Sequence, residues 1–193
     1  GRPPRGISLR ITDEQGRPLP AGEVGEIRLR GEMRHEVTMG YYRDEERTRE
    51  AYGDGWLRTG DLGRCDADGN LYYEGRLKDV IKRSGFSIAA AEVERVIGAV
   101  PGVAECAVVG TPDRMREEAI VAFVAPGGID ESAVFAACRA DLAEYKVPQF
   151  VKVLPALPHN FLGKVDRKAL REMALEFRVD TTEHTPLGGP APR

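Results

Sequence analysis

The chain has 193 residues, 41% hydrophobic and 31% charged, a balance that suits one folded domain or two small ones and excludes intrinsic disorder for most of its length. A formal net charge of −3 gives no whole-molecule field for nucleic acid, so any anion-binding site must be local. Cys65, Cys106 and Cys138 are odd in number, lie far apart and form no C-x-x-C, which argues for reduced thiols in a cytoplasmic setting and against a disulfide framework or a zinc site.

Residues 7–11 (ISLRI) and 23–30 (EVGEIRLR) alternate apolar and polar side chains around the turn-rich DEQGRPLPAG, which predicts a hairpin in a small β-rich unit. The polar stretch RDEERTREAY predicts a short helix. From GDGWLRTGDLG through DADGN turn signals are dense, and LYYEG and DVIKRS flank GRLKDVIKRSG as two more short strands. Beyond Gly85 the texture changes. Val93, Val96, Ile97 and Val100 are spaced i, i+3, i+4, i+7, the stripe of an amphipathic helix. Strands are predicted at 104–110 and 117–126, the second apolar on both faces and therefore central in its sheet. Val134, Ala137, Cys138, Leu142 and Tyr145 mark a second helix with Asp130 as its cap. A strand at 150–154 leads to the turn PHNFLG and a third helix, capped by Asp166, with Leu170, Met173, Ala174 and Phe177 inward. The tail after Val179 is rich in Pro, Gly and Thr without periodicity and reads as disordered. No apolar run reaches the roughly 18 residues of a membrane span, and no signal peptide is visible. The loop-like opening GRPPRG reads as the start of a piece cut from a longer protein.

Several common chemistries are excluded. No glycine precedes Gly163-Lys164 at the spacing a Walker loop needs, and Val165 stands where a Ser or Thr would hold magnesium. His35, His159 and His184 stand alone, without H-E-x-x-H or a Cys at ligand spacing, so no metal site is expected. No G-x-S-x-G supplies a nucleophile elbow. What remains is local charge. Residues 75–85 carry Arg76, Lys78, Lys82 and Arg83 against Asp79 alone, in a chain that is net negative.

Three motifs together resemble one family, the adenylate-forming enzymes, which include acyl-CoA synthetases, luciferases and the adenylation domains of peptide synthetases. They are GWLRTGDLG at 55–63, GRLKDVIKRSGFSIAAAEVE at 75–94 and LPHNFLGKVDRKAL at 157–170, with MGYYRDEERTREAY upstream also similar to the family. The resemblance covers residues 1–175. It implies an α+β fold, in which 1–75 is the β-rich end of a large adenylation domain and 76–178 is a compact carboxy-terminal lid, followed by the tail at 179–193. It also implies that the large amino-terminal domain, with its phosphate loop and most of the acyl pocket, is missing.

The resemblance further implies roles for single residues. Asp61 binds the ATP ribose, a role that suits a carboxylate able to accept two hydrogen bonds from a vicinal diol, although an Asx-type turn is its ordinary alternative beside glycine. Arg76 contacts the nucleotide with its planar fork of donors. Lys78 is the hinge about which the lid turns between two half-reactions. Lys82 serves the second half-reaction, and Ser84, Gly85 and Phe86 form its CoA and thioester loop, where Gly85 lets backbone pass close to the pantetheine arm. Read without the family, Lys82 and Arg83 are the solvent face of a β-hairpin. Ser87 departs from the arginine many members place there.

Lys164 is the strongest single candidate. A cation near a helix N-terminus is disfavoured by about 0.3–1 kcal/mol, so something other than helix stability holds it there. In the family this lysine bridges the substrate carboxylate and the ATP α-phosphate, two anions that otherwise repel. Asn160 replaces the usual Thr or Ser, and Phe161-Leu162 are unusually apolar. The implied co-substrates are ATP, a carboxylic acid and CoA, with Mg²⁺ bound mainly by the missing domain. DRMREEAIVAFV and AEYKVP look most like carnitine- or crotonobetaine-type and medium- to long-chain acyl-CoA ligases. Two rival readings are an adenylation domain that loads a carrier protein, and a non-catalytic lid that binds nucleotide or a partner chain.

Overall fold

A computed structural model describes residues 1–31, 37–126 and 128–177; the tail expected at 179–193 lies outside them. The chain divides into two compact units, Gly1–Asp79 and Val80 onward.

The first unit is a four-stranded antiparallel sheet in chain order, β1 (Ile7–Thr12), β2 (Gly25–Gly31), β3 (Leu57–Cys65) and β4 (Leu71–Arg76), with helix α1 (Glu45–Ala51) between β2 and β3. The alternation read in ISLRI and EVGEIRLR is realised as a β1–β2 ladder that sets Ile11 opposite Ile27 and Arg10 opposite Arg28. Asp44 caps α1 by accepting from the Arg47 N–H at 2.9 Å. Where dense turns are predicted from GDGWLRTGDLG onward, the structure runs the nine-residue strand β3 instead. Its turn-like TGD is a bulge: β2 advances two residues from Glu26 to Arg28 while β3 spends four, Leu62 back to Arg58. Gly60 at φ +71° accommodates that bulge, and Thr59 Oγ1 ties it to the Ile27 carbonyl at 2.6 Å.

This sheet has little interior of its own. Among its described residues the buried apolar side chains are Ile11, Ile27 and Leu62, while Glu26 and Arg28 are buried as an ion pair at 3.2 Å. Asp54 joins Arg28 at 3.0 Å and also pairs with Arg10, whose guanidinium lies over the Trp56 ring.

The second unit is built around a long antiparallel hairpin, β7 (Glu105–Asp113) and β8 (Glu117–Ala125). β5 (Val80–Arg83) and β6 (Phe86–Ala89) form a hairpin that meets β8 at its first residue, through Arg83 and Glu117. β9 (Phe150–Val153) lies parallel to β8 further along. Helices α2 (Ala90–Ile97) and α3 (Glu131–Asp141) share one apolar cluster, and α4 (Arg167–Ala174) belongs to another. β8 shows why it is buried from Ala119 onward: Ile120, Ala122 and Val124 belong to the first cluster and Val121, Phe123 and Ala125 to the second. Burying Phe123 or Leu170 contributes about 1.5–3 kcal/mol each.

The expected helix stripes hold in part, with Val93, Val96 and Ile97 buried on α2, Val134 and Cys138 on α3, and Leu170 and Ala174 on α4, but α3 ends at Asp141, so Leu142 is its extended C-cap and Tyr145 falls in a separate 3-10 turn. Asp130 and Asp166 cap their helices as read, the first accepting from Ser132 N–H and the second from Lys168 and Ala169 N–H. β6 and the short 3-10 turns Glu144–Lys146 and Leu175–Phe177 were not anticipated. β7 is an edge strand whose outward groups at Val108 are taken by side chains: the Glu94 carboxylate accepts its N–H at 2.7 Å and Arg167 donates to its carbonyl at 2.9 Å. Among the described residues no helix is long and apolar enough to cross a membrane.

Candidate functional site

In the first unit Asp61 and Arg76 are register partners on β3 and β4. Asp61 therefore sits on a bulged strand, a correction to the expected turn. The Arg76 Nε lies 3.0 Å from Asp61 Oδ1, an ion-pair distance without hydrogen-bond geometry, and that buried Oδ1 has no hydrogen-bond donor. A buried acceptor without a donor costs about 1–3 kcal/mol. Lys78 lies in a short 3-10 turn, Leu77–Asp79, that ends the unit.

In the second unit the other candidates fall on two loops. The β5–β6 hairpin turns through Ser84 at φ +50° and Gly85 at φ +80°, consecutive left-handed residues that define a two-residue turn matched to strand twist. A side chain added at Gly85 would meet nothing within 4 Å, so glycine serves the backbone angle and leaves open space beside it. Lys82 is exposed, with its Nζ donating to Ser87 Oγ at 2.9 Å and its N–H to Glu118 at 2.6 Å. Ser87 thus serves the lysine opposite it in register. The half-exposed Phe86 ring stacks on Tyr145 at 4.3 Å between centroids.

Arg83 is not on the solvent face. It is buried at 8% exposure and donates through Nη1 to the Tyr145 and Val147 carbonyls at 2.8 and 3.2 Å. Strand alternation with buried Ile81 was the signal that places it inward.

The Lys164 loop is a tight turn organised by Asn160. Its side-chain oxygen accepts from the Leu162 and Lys164 N–H groups at 2.9 and 3.2 Å, while its own N–H donates to the Lys164 carbonyl at 2.8 Å. Gly163 takes φ +72°. Phe161 and Leu162 at the tip are 95% and 67% exposed. Lys164 is exposed and has no carboxylate within ion-pair distance among the described residues, which leaves its charge available to an anion.

The two loops occupy opposite ends of the β7–β8 hairpin. The Lys82 hairpin is bonded to the start of β8, through Ser84 N–H to the Arg116 carbonyl at 3.0 Å and Gly85 N–H to Glu117 at 3.3 Å. The Lys164 turn is tied by His159 to Glu105 at 2.8 Å, and Glu105 pairs with Ala125 at the far end of β8. Eight residue steps of strand separate these anchor points by roughly 26 Å. The two lysines therefore belong to loops anchored at opposite ends of this hairpin.

Residues 92–164 match the AMP-binding enzyme C-terminal domain. A sulfoacetate–CoA ligase of Cupriavidus necator is 43% identical over 171 residues, which are 86% of this chain and 33% of that protein. A crotonobetaine/carnitine–CoA ligase of Salmonella heidelberg is 39% identical over 165 residues, 83% of this chain and 32% of that protein. The crystal structure of ATP-bound MatB from Rhodopseudomonas palustris superposes with a TM-score of 0.83 at 37% identity, covering 92% of this chain and 36% of that one. The chain belongs to the adenylate-forming, AMP-binding enzymes. Its relatives are CoA ligases, of whose length it spans about a third. As in other adenylate-forming proteins, the fold is a mixture of helices and largely antiparallel sheet.

Proposed function

We propose that this chain is the carboxy-terminal part of an ATP-dependent acyl-CoA synthetase, with 1–75 closing the large adenylation domain and 76–178 forming its lid. In the first half-reaction a carboxylate oxygen of the substrate attacks the α-phosphorus of ATP and pyrophosphate leaves, giving an acyl-adenylate. In the second the CoA thiol sulfur attacks the acyl carbon, AMP leaves, and the thiol proton is released. Lys164 neutralises the carboxylate and α-phosphate as they approach, a contribution that grows as charge gathers in the transition state. Asp61 and Arg76 hold the nucleotide ribose, Lys78 is the hinge, and the Lys82 hairpin, with Ser84, Gly85 and Phe86, lines the path of the pantetheine arm.

The observation that carries this reading is the placement of Lys82 and Lys164 at opposite ends of one rigid hairpin, which suits a lid that presents one end and then the other. The scarcity of buried apolar side chains in the first unit supports a further domain packed against it, because such a sheet gains too little burial to stand alone. CoA is favoured as the acceptor because the two curated relatives are named as CoA ligases. Mg²⁺ would arrive on the ATP phosphates, held mainly by the missing domain. The three free thiols suit a cytoplasmic enzyme.

The deciding experiment measures each half-reaction separately in the full-length enzyme. Lys164→Ala is expected to abolish acyl-adenylate formation while sparing thioester formation from preformed adenylate, and Lys82→Ala to do the reverse. Equal loss of both steps in either variant overturns the assignment.

A further inference from the structure

Helix α2 carries two carboxylates that each reach one of the two lysine loops through a different partner. Glu92 and Glu94 are two residues apart, so they leave the helix about 200° apart around its axis. Glu94 is 17% exposed and accepts from Arg167 Nη2 with both oxygens, at 2.7 and 2.9 Å, as well as from the Val108 N–H. Arg167 is the first residue of α4 and stands three residues after Lys164. The intervening chain is fixed: Asp166 caps the helix and donates its N–H to the Pro158 carbonyl at 2.8 Å, and Val165 bridges to His159. The position of Glu94 is thereby passed to the base of the Lys164 turn.

Glu92 faces the other loop. Both its oxygens accept from Lys146 Nζ, at 2.7 and 2.8 Å. Lys146 closes the 3-10 turn Glu144–Lys146, whose Tyr145 takes the Arg83 guanidinium on its carbonyl and the Phe86 ring on its face. That turn is what the β5–β6 hairpin leans on.

The geometry points to Glu94 and Glu92 as two separate positioning residues, Glu94 with Arg167 for the adenylation loop and Glu92 with Lys146 for the thioester loop. This rests on the two-loop reading of function above. Neither carboxylate touches substrate; each fixes the base of a loop whose tip does. A displacement of about 1 Å in a charged group at a reacting centre costs on the order of 100-fold in rate, so loosening one base should affect one step.

The test uses the full-length enzyme with both half-reactions measured separately and thermal melts in parallel. Glu94→Gln keeps the side-chain shape but turns an amide toward the guanidinium. It is expected to slow adenylate formation about 10- to 100-fold with thioester formation from preformed adenylate changed less than about twofold. Glu92→Gln is expected to give the opposite pattern. Should Glu94→Gln fail to fold, Arg167→Lys decides, because it keeps the charge and loses the fork that joins Glu94 to Val108. General loosening of the unit would lower both steps together, so equal losses in the two glutamate variants, or no loss in either, overturn the positioning roles. Lys164→Ala is run alongside: if it leaves adenylation intact, the functional reading itself fails, whereas its expected effect together with equal losses in the glutamate variants rejects only the inference drawn here.

Discussion

Asp61 and Arg76 face each other in register on neighbouring strands, 3.0 Å apart, yet the buried Asp61 Oδ1 is left without a hydrogen bond. The arginine neutralises the carboxylate and leaves that acceptor open. Asp61→Asn keeps the shape and removes the charge, and hydrogen bonds to charged groups contribute about 1.5–3 kcal/mol. In the full-length enzyme the KM for ATP is expected to rise about 10- to 100-fold with the acid's KM unchanged. An unchanged KM for ATP would return Asp61 to a purely structural role in the bulge.

Arg83 donates to both the Tyr145 and Val147 carbonyls, the second of which also accepts from Gln149 Nε2 at 3.3 Å. Arg83→Met fills the same space and withdraws both bonds, so it should destabilise the 193-residue chain by about 1–3 kcal/mol. Urea unfolding followed at the second unit measures this directly. A change within experimental scatter would show that water replaces the guanidinium without cost.

Gly163 combines a left-handed backbone with open surroundings, since an added Cβ would meet nothing within 4 Å. Substitutions there are opposed by backbone conformation alone, at about 1–2 kcal/mol for Ala. Asn visits that region more readily, so the rate of adenylate formation should fall in the order Gly, Asn, Ala, Val. If the order instead followed side-chain size, an unseen contact at the turn would be responsible.

The Asp66 carboxyl is held at about 2, below its usual 3.8, first by the Asn70 side-chain amide and then by the Asn70 N–H, with the Tyr72 hydroxyl and Asp68 N–H adding to them. A depressed folded value means that this turn contributes stability fully above about pH 4 and loses it as pH falls through 2. Carboxyl NMR titration should place the Asp66 midpoint near 2 and move it toward 3.8 in Asn70→Ala. An unmoved midpoint would assign the effect to the backbone groups.

Burial pushes the Cys106 and Cys138 thiols up to about 11, with the Glu94 carboxylate adding to the effect at Cys106. Both should resist alkylation at pH 8 in the folded chain and react once it is denatured, because the thiolate is the nucleophile. Mass spectrometry after brief iodoacetamide treatment reads the result, and rapid modification of either in the native chain would contradict it.

The second unit was legible almost throughout, because its signals are local and redundant: a 3.6-residue stripe at Val93, Val96 and Ile97, Asp caps, and a strand apolar on both faces. β3 was hidden because Gly60 and Asp61 are turn formers, and only pairing with β2 and β4 shows that they make a bulge within a strand. Arg83 was misplaced as a surface cation since its partners are carbonyls some sixty residues away, which composition does not reveal. The motif residues themselves could be named from sequence. What could not be read was that Lys82 and Lys164 stand at opposite ends of one hairpin, a relation set by which ends of β7 and β8 each loop is bonded to.

The Val108 contacts also bear on self-association. An edge strand offers its unpaired N–H and C=O groups to any other chain that can add a strand. Here Glu94 and Arg167 already occupy both groups of Val108, and Pro112, four residues along and on the same side, has no N–H to offer. A strand from a second molecule would meet a carboxylate, a guanidinium and a proline ring where it needs free backbone, so this edge of the sheet is closed to growth into aggregates.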